Sequence, residues 1–241
     1  MQEQLREEAD GTILFDAEVS PQVDADWFDP DYWRGRDALH VQQGGRGGVA
    51  LIRTPAGECV LRHYRRGGLV ARLLGDRYRW GGANRTRPFA EFRLLAAIVA
   101  RGLPGPLPVA ARFCRRGGFY TADLITRRID AARTLAEYQG EGRLDAALAE
   151  SVGVLVARFH REGIWHADLN AHNVLVTPAG LYLIDFDRGR LRPLASRWRL
   201  ANLRRLRRSL LKVAGPGHEL AVFERDVWQP LLNAYQRTFA V

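Results

Sequence analysis

Residues 143–163, RLDAALAESVGVLVARFHREG, carry apolar side chains at Leu144, Leu148, Val152, Leu155, Val156 and Phe159. That spacing of three and four is one face of a long amphipathic helix, with Gly163 as its stop. FAEFRLLAAIVARG repeats the pattern at Phe89, Phe92, Leu95, Ala96 and Val99, and Gly102 ends it ahead of a stiff connector, LPGPLP. Elsewhere the apolar runs are short. Val49–Arg53 and Cys59–Tyr64 flank a TPAG turn, which predicts an antiparallel hairpin with the glycine-rich GGRGG in front of it. NVLVTPAGLYLIDF predicts a second hairpin around a second TPAG, and residues 109–129 predict two strands around RRGG. The chain then reads as helical and arginine-rich to about residue 212, with a last helical segment from Glu219 to Phe239.

The order is a β-rich first part with one internal helix, a Pro/Gly connector, and a mostly helical second part holding one hairpin. No internal repeat is present; the two TPAG turns sit in unlike contexts. Residues 1–38, centred on DADWFDPDYW, read as an irregular leader that packs through Trp27, Phe28, Tyr32 and Trp33. Three segments result: the leader 1–38, a lobe 39–129 and a lobe 130–241. The fold class is α+β.

Composition narrows the class without choosing a function. With 241 residues, 46% of them hydrophobic and 26% charged, the chain can bury a substantial core. Cys59 and Cys114 lack the spacing of a disulfide framework or a structural zinc site. MQEQLREEADG has no apolar core like that of a signal peptide, and no apolar run nears the roughly 20 residues that span a bilayer. Lys+Arg number 36 against 27 Asp+Glu, a net charge of +9. Such a balance attracts nucleic acid, acidic lipid headgroups or phosphorylated substrates alike.

The chemistry concentrates in IWHADLNAHN, residues 164–173, and in YLIDFDRGR soon after it. Phosphoryl-transfer site, metal site and two ordinary loops, with Asp and Asn capping local backbone, are all open at this point. Transfer of a phosphoryl group needs positioning and charge neutralisation more than covalent help. One carboxylate must orient the nucleophile or accept its proton; another carboxylate and an amide oxygen can hold Mg²⁺, which favours oxygen ligands. A hairpin of the predicted size brings Asn173 and Asp185 together, with Asp168 at its mouth. His160 and His172 have no companions at zinc-ligand spacing.

HADLNAHNVLV resembles the HxDxxxxN catalytic loop of the protein-kinase-like superfamily, and IDFD resembles its DFG element. The resemblance implies a bilobal protein-kinase-like fold with a β-rich N-terminal lobe and a mainly helical C-terminal lobe, and ATP between them. It implies Asp168 as catalytic base, Asn173 and Asp185 as Mg²⁺ ligands, and His166 as a structural support. Gly44, Gly45, Gly47 and Gly48 of GGRGG would form the loop over the ATP phosphates, and Glu91 would orient the nucleotide-binding cation. That cation is a lysine in the superfamily; CVLRHY places Arg62 there, whose planar fork differs from an ammonium. Ala167 stands where an arginine reads a phosphorylated activation loop, Asp187 stands where DFG has its glycine, and no APE motif follows. A small-molecule or glycolipid acceptor is the expectation, rather than a protein.

Longer phrases narrow the resemblance. WFDPDYW, VLRHYRRGGLVARLLGDRY, RTRPFAEFRLLA, HADLNAHNVLV and LIDFDRGRLR together resemble the 3-deoxy-D-manno-octulosonic acid (Kdo) kinases of Gram-negative bacteria, from about Trp27 to the arginine-rich helix. The resemblance implies transfer of phosphate from ATP to the 4-hydroxyl of Kdo on a lipid A precursor, in lipopolysaccharide core assembly. The place implied is the cytoplasmic face of the inner membrane, as a peripheral protein. It also favours an acceptor-facing role for RRGGLVARLLGDRYRW. In RLRPLASRWRLANLRRLRRSLLK, Trp198, Leu203, Leu206 and Leu210 can share a face flanked by Arg199, Arg204, Arg205, Arg207, Arg208 and Lys212. That stripe suits either the lobe's own core or an anionic membrane interface. The rival readings are another core sugar such as a heptose or a small molecule as acceptor, a non-catalytic pseudokinase, and a nucleic-acid-binding helix.

Overall fold

The computed structural model describes residues 2–41, 49–65, 75–215, 217 and 219–240. Gly44, Gly45, Gly47 and Gly48, expected over the ATP phosphates, lie outside the described residues, as do residues 66–74 of the segment expected to face the acceptor. The chain forms two compact units, Met1–Ala96 with Pro106–Arg128 and Ala97–Gly105 with Ile129–Val241.

The first unit is built on one antiparallel sheet. Its strands are β1 (Glu3–Glu8), β2 (Gly11–Asp16), β3 (Leu39–Val41), β4 (Val49–Thr54), β5 (Gly57–His63), β6 (Tyr78–Arg79), β7 (Pro108–Arg116) and β8 (Phe119–Arg127). The order is β1-β2-β7-β8-β5-β4-β3, with β6 paired to β8. The predicted hairpins are β4–β5, where Thr54 faces Gly57 across the turn, and β7–β8, closed at Gly117 and Gly118. Helix α2 (Arg87–Ala100) is the internal helix, and α1 is a single turn, Pro30–Arg34, capped by the Asp29 side chain.

The leader is not irregular: it adds two strands. In β2, Ile13 and Leu14 are both fully buried, so the run GTILFD lacks the alternation that betrays a half-exposed strand. Strand β1, EQLREE, is almost wholly exposed and charged, the composition of a protected sheet edge. The aromatic centre packs as expected. Trp27, Phe28 and Trp33 join Ile13, Phe15, Ile52, Leu61 and Ile125 in one core, with Tyr32 against it, and the Trp33 indole N–H donates to the Trp27 carbonyl at 2.8 Å.

The second unit is mainly helical: α3 (Leu135–Gly140), α4 (Ala146–Arg161), α5 (Ser196–Ala214), α6 (Leu220–Phe223) and α7 (Gln229–Ala240). Helix α3 was hidden by its length, although a capping box marks it: the Thr134 hydroxyl accepts from Glu137 N–H while the Glu137 carboxylate accepts from Thr134 N–H. A π-helical turn, Glu224–Trp228, interrupts the last helical segment just before Pro230, whose ring nitrogen has no proton to donate. The second hairpin is β11 (Val174–Thr177) with β12 (Gly180–Leu183), flanked by β9 (Arg133–Thr134). Strands β10 (Ile164–Trp165) and β13 (Arg190–Leu191) make a separate short pair.

Helix α4 buries Val152, Leu155, Val156 and Phe159, the predicted face, and lies against α7 at Gly153. A Cβ on Gly153 would meet the Leu231 carbonyl oxygen at 2.1 Å and two further backbone atoms at 3.0 Å. Backbone cannot step aside as a side-chain tip can. Gly153→Ala is therefore expected to destabilise the protein by about 2–3 kcal/mol, read as a melting temperature lower by on the order of 5–10 °C.

Candidate active site

The loop that carries Asp168 is fixed at its entrance by glycine. Gly163 ends α4 at φ 70°, and a Cβ there would meet the Arg192 carbonyl oxygen at 2.5 Å. Its own carbonyl accepts the Arg192 N–H at 2.8 Å, which starts the β10–β13 pairing and delivers the chain to His166.

His166 is buried and both its ring nitrogens are engaged. Nε2 lies 2.9 Å from the Ile184 carbonyl, and Nδ1 accepts the Asp168 N–H at 3.1 Å. A carbonyl can only accept and an amide N–H can only donate, so one neutral tautomer is dictated. Burial pushes its pKa below the usual histidine range. The ring thus ties the loop that carries Asp168 to the strand that precedes Asp185, the scaffold role expected of it.

A buried polar chain continues from that loop. Asn202 of α5 donates to the His166 carbonyl at 2.9 Å, and its amide oxygen lies 3.3 Å from His160 Nε2. His160 Nδ1 lies 3.0 Å from the Tyr235 hydroxyl, which in turn accepts from Arg199 at 3.2 Å. Burial drives the His160 pKa down to about 3, with Arg199 adding to the effect. The unfolded chain binds a proton near pH 6.5 and the folded chain does not. The stability this residue contributes is therefore complete above pH 6.5 and is lost progressively as pH falls toward 3. By pH 5 the loss is about 2 kcal/mol. His63 works in the opposite direction, its pKa raised chiefly by the Asp123 hydrogen bond. The measurement is therefore a comparison of stability at pH 7 and pH 5 between wild type and His160→Gln, the variant showing the smaller loss.

Asp168 itself is exposed, and its surroundings are ordered by two asparagines. Asn170 donates to the Asp168 carbonyl at 3.0 Å and to Oδ2 at 3.1 Å, while its oxygen accepts the His172 N–H at 2.8 Å. Asn173 donates to the same Asp168 carbonyl at 3.0 Å. That bond commits the Asn173 nitrogen, and the amide oxygen is left as the atom it can offer to a cation. Asp168 Oδ1 accepts from Arg205 of α5 at 2.9 Å.

Asp185 follows the second strand of the hairpin, at the same end as Asn173. The Ile184 N–H donates to the Asn173 carbonyl at 3.0 Å, one step beyond the Val174–Leu183 pair. Asp185 follows with φ 61°, a left-handed conformation that Asp tolerates better than most residues. Phe186 anchors the turn: it is fully buried, stacked on Phe159 at 5.7 Å and tilted against His166 at 4.8 Å. The hairpin therefore brings Asn173 and Asp185 to one end, and the loop places Asp168 beside Asn173. Among the described residues no group of three His, Cys, Asp or Glu side chains is suited to a metal. Mg²⁺ does not require one, because it keeps waters and phosphate oxygens and takes one or two protein oxygens. An exposed Asp185 carboxylate with the oriented Asn173 amide oxygen fits that demand.

In the first unit, Arg62 and Glu91 pair at 2.5 Å, and the Tyr64 hydroxyl donates to the same Glu91 oxygen at 2.5 Å. Glu91 and Tyr64 are buried, and burial raises the Tyr64 pKa well above its usual value, so the phenol stays a donor. The opposite side of β5 carries a cross-strand row in which Asp123 accepts from Arg112 at 2.9 Å and lies 2.7 Å from His63 Nδ1, whose Nε2 is 2.8 Å from Asp76. Tyr64, Asn170 and Asn202 were not singled out by the sequence, and Arg205 stood out only as one of the cations flanking the apolar stripe. Asn202, Arg205 and Ser209 do recur at a helical spacing of three and four within an otherwise basic and apolar run, which was their one legible signal.

The apolar stripe of α5 turns inward. Trp198, Leu203, Leu206 and Leu210 are all buried, so it packs in the unit's core. Arg199 bonds Tyr235 and covers the Phe239 ring at 3.7 Å, and Arg207 pairs with Glu224. Arg197, Arg204, Arg208 and Lys212 are exposed.

Comparison with known proteins places the chain in a family. The family described as Lipopolysaccharide kinase (Kdo/WaaP) matches residues 30–235. A 3-deoxy-D-manno-octulosonic acid kinase of Xanthomonas axonopodis pv. citri (strain 306) is 53% identical over 207 residues, 85% of this chain and 82% of that protein. One from Xylella fastidiosa (strain M12) is 46% identical over 227 residues, 94% of this chain and 90% of that protein. A solved glucosamine kinase superposes with a TM-score of 0.51 at 12% identity, covering 98% of this chain and 81% of its own, a likeness of fold. The fold is the kinase-like α+β arrangement and the activity is that of a phosphotransferase: the chain belongs to the lipopolysaccharide kinase (Kdo/WaaP) family.

Proposed function

We propose that the chain transfers the γ-phosphoryl group of ATP to the 4-hydroxyl of Kdo on a lipid A precursor, in lipopolysaccharide inner-core assembly. The observation that carries this reading is the bonded frame of the second unit, in which Asn173 orders the Asp168 backbone and His166 ties that loop to the strand before Asp185. Asp168 orients the acceptor hydroxyl and takes its proton as the phosphoryl group departs from ATP. Asn173 and Asp185 would hold Mg²⁺, which would supply neutralisation of phosphate charge. Arg62, kept in place by Glu91 and Tyr64, is the candidate for the cation toward the nucleotide.

The same reading places the protein at the cytoplasmic face of the inner membrane. Exposed Arg197, Arg204, Arg208 and Lys212 on α5, near exposed Leu194 and Leu200, support attachment to an anionic surface. Each such cation contributes about 1 kcal/mol there. None of the described helices is long and apolar enough to cross a membrane.

The test is transfer of labelled γ-phosphate to a Kdo-bearing lipid A precursor, to the Kdo-free precursor and to a heptose-bearing core fragment. Label on the Kdo-bearing precursor alone is expected. Equal labelling of the Kdo-free lipid, or of the heptose fragment without Kdo, would refute the acceptor; ATP consumption with none of them would mark a non-catalytic protein.

A further inference from the structure

Helix α5 meets the catalytic loop along one stripe. Asn202 donates to the His166 carbonyl at 2.9 Å, Arg205 donates to Asp168 Oδ1 at 2.9 Å, and the Ser209 hydroxyl accepts the Ala171 N–H at 3.1 Å. These positions are three and four residues apart, so they share a face and stand one above another. Leu203, Leu206 and Leu210 bury the adjoining face of the helix. Arg205 is therefore not a wandering surface arginine: anchors on either side deliver its guanidinium to the catalytic carboxylate.

That contact is poorly explained as a stability device. Both side chains are about half exposed, at 45% and 53%, and such pairs contribute little. Nor does it serve the base, since the guanidinium occupies an Asp168 oxygen that would otherwise face the acceptor hydroxyl. One nitrogen of the guanidinium fork is used on Asp168, and the fork is shaped to grip a carboxylate through two. From His166 to Asn173 the loop carries no lysine or arginine, and the His166 Nδ1 accepts the Asp168 N–H rather than carrying a proton. The acceptor, an octulosonic acid, brings a carboxylate of its own to this place.

We infer that Arg205 is the acceptor-specificity residue of this kinase, exchanging Asp168 for the carboxylate of the incoming sugar acid. The inference rests on the Kdo reading above. In the absence of acceptor the Asp168 carboxylate occupies Arg205. When the sugar binds, its carboxylate takes over the fork, and Asp168 is released to the hydroxyl. One residue thereby recognises the acid and frees the base.

The experiment compares wild type, Arg205→Gln and Arg205→Lys on a Kdo-bearing lipid precursor and on its analogue with the carboxylate converted to a carboxamide. Loss of a charge-assisted, two-point contact lowers kcat/KM by about 10- to 100-fold. Wild type should prefer the acid over the amide by that factor, with the difference mainly in acceptor KM. Arg205→Gln should lose the same factor on the acid and treat the two acceptors alike, with the KM for ATP within about twofold of wild type. Arg205→Lys should recover part of the preference. If wild type uses acid and amide equally, or Arg205→Gln retains the full preference, the inference is overturned while the Kdo reading stands. If wild type transfers to neither Kdo acceptor, the reading fails and takes the inference with it. The wild-type comparison needs no variant to fold.

Discussion

Asp168→Asn is expected to lower phosphoryl transfer at saturating acceptor by about 100- to 10,000-fold, the range a positioned general base supplies. The substitution keeps the shape of the side chain and removes its basicity. The neighbouring bonds that shape the loop use the Asp168 backbone: its N–H donates to His166 and its carbonyl accepts from Asn170 and Asn173. These survive the change. The side chain is half exposed, so stability should change by less than about 1 kcal/mol. The loss should appear in kcat, with nucleotide affinity near that of wild type. A variant that keeps its fold and its rate within about threefold would remove Asp168 from the chemistry.

The second large effect is expected at Asp185, and its backbone chooses the substitution. With φ at 61°, a β-branched replacement would add strain, whereas Asn is at home in that conformation. Asp185→Asn therefore isolates the charge. Phe186, stacked on Phe159, still pins the turn. A carboxylate that holds Mg²⁺ cannot be replaced by an amide without weakening the ion's grip. Transfer should fall by about 100-fold or more, comparable to the removal of a group that stabilises transition-state charge. Calorimetry supplies an independent readout: Mg²⁺ should strengthen nucleotide binding to wild type and not to Asp185→Asn. Equal Mg²⁺ enhancement in the variant would take Asp185 out of the metal site.

What the sequence revealed and what it withheld follow from the range of the forces involved. The predicted hairpins and long helices formed because turn residues and helical spacing act locally; the TPAG hairpins and the buried face of α4 show this. Strands β1 and β2 were missed because a charged edge strand and a strand buried on both faces each lack alternation. The site divides in the same way. Asp168, Asn173 and Asp185 lie within one loop and hairpin, so their grouping could be read along the chain. Arg205 and Asn202 reach that loop from a helix more than thirty residues later, and only the packing of α5 reveals which arginine of its many meets Asp168. The apolar stripe of the same helix suited the lobe's core somewhat better than a lipid surface, and burial of Leu206 and Leu210 assigns it to the core.

Whether this chain phosphorylates Kdo is read from phosphorus NMR of the product made from ATP, Mg²⁺ and a Kdo-bearing lipid A precursor. One new phosphomonoester is expected, coupled to the proton at carbon 4 of Kdo. A phosphoester on a glucosamine or on another sugar of the acceptor, with Kdo unmodified, would contradict it.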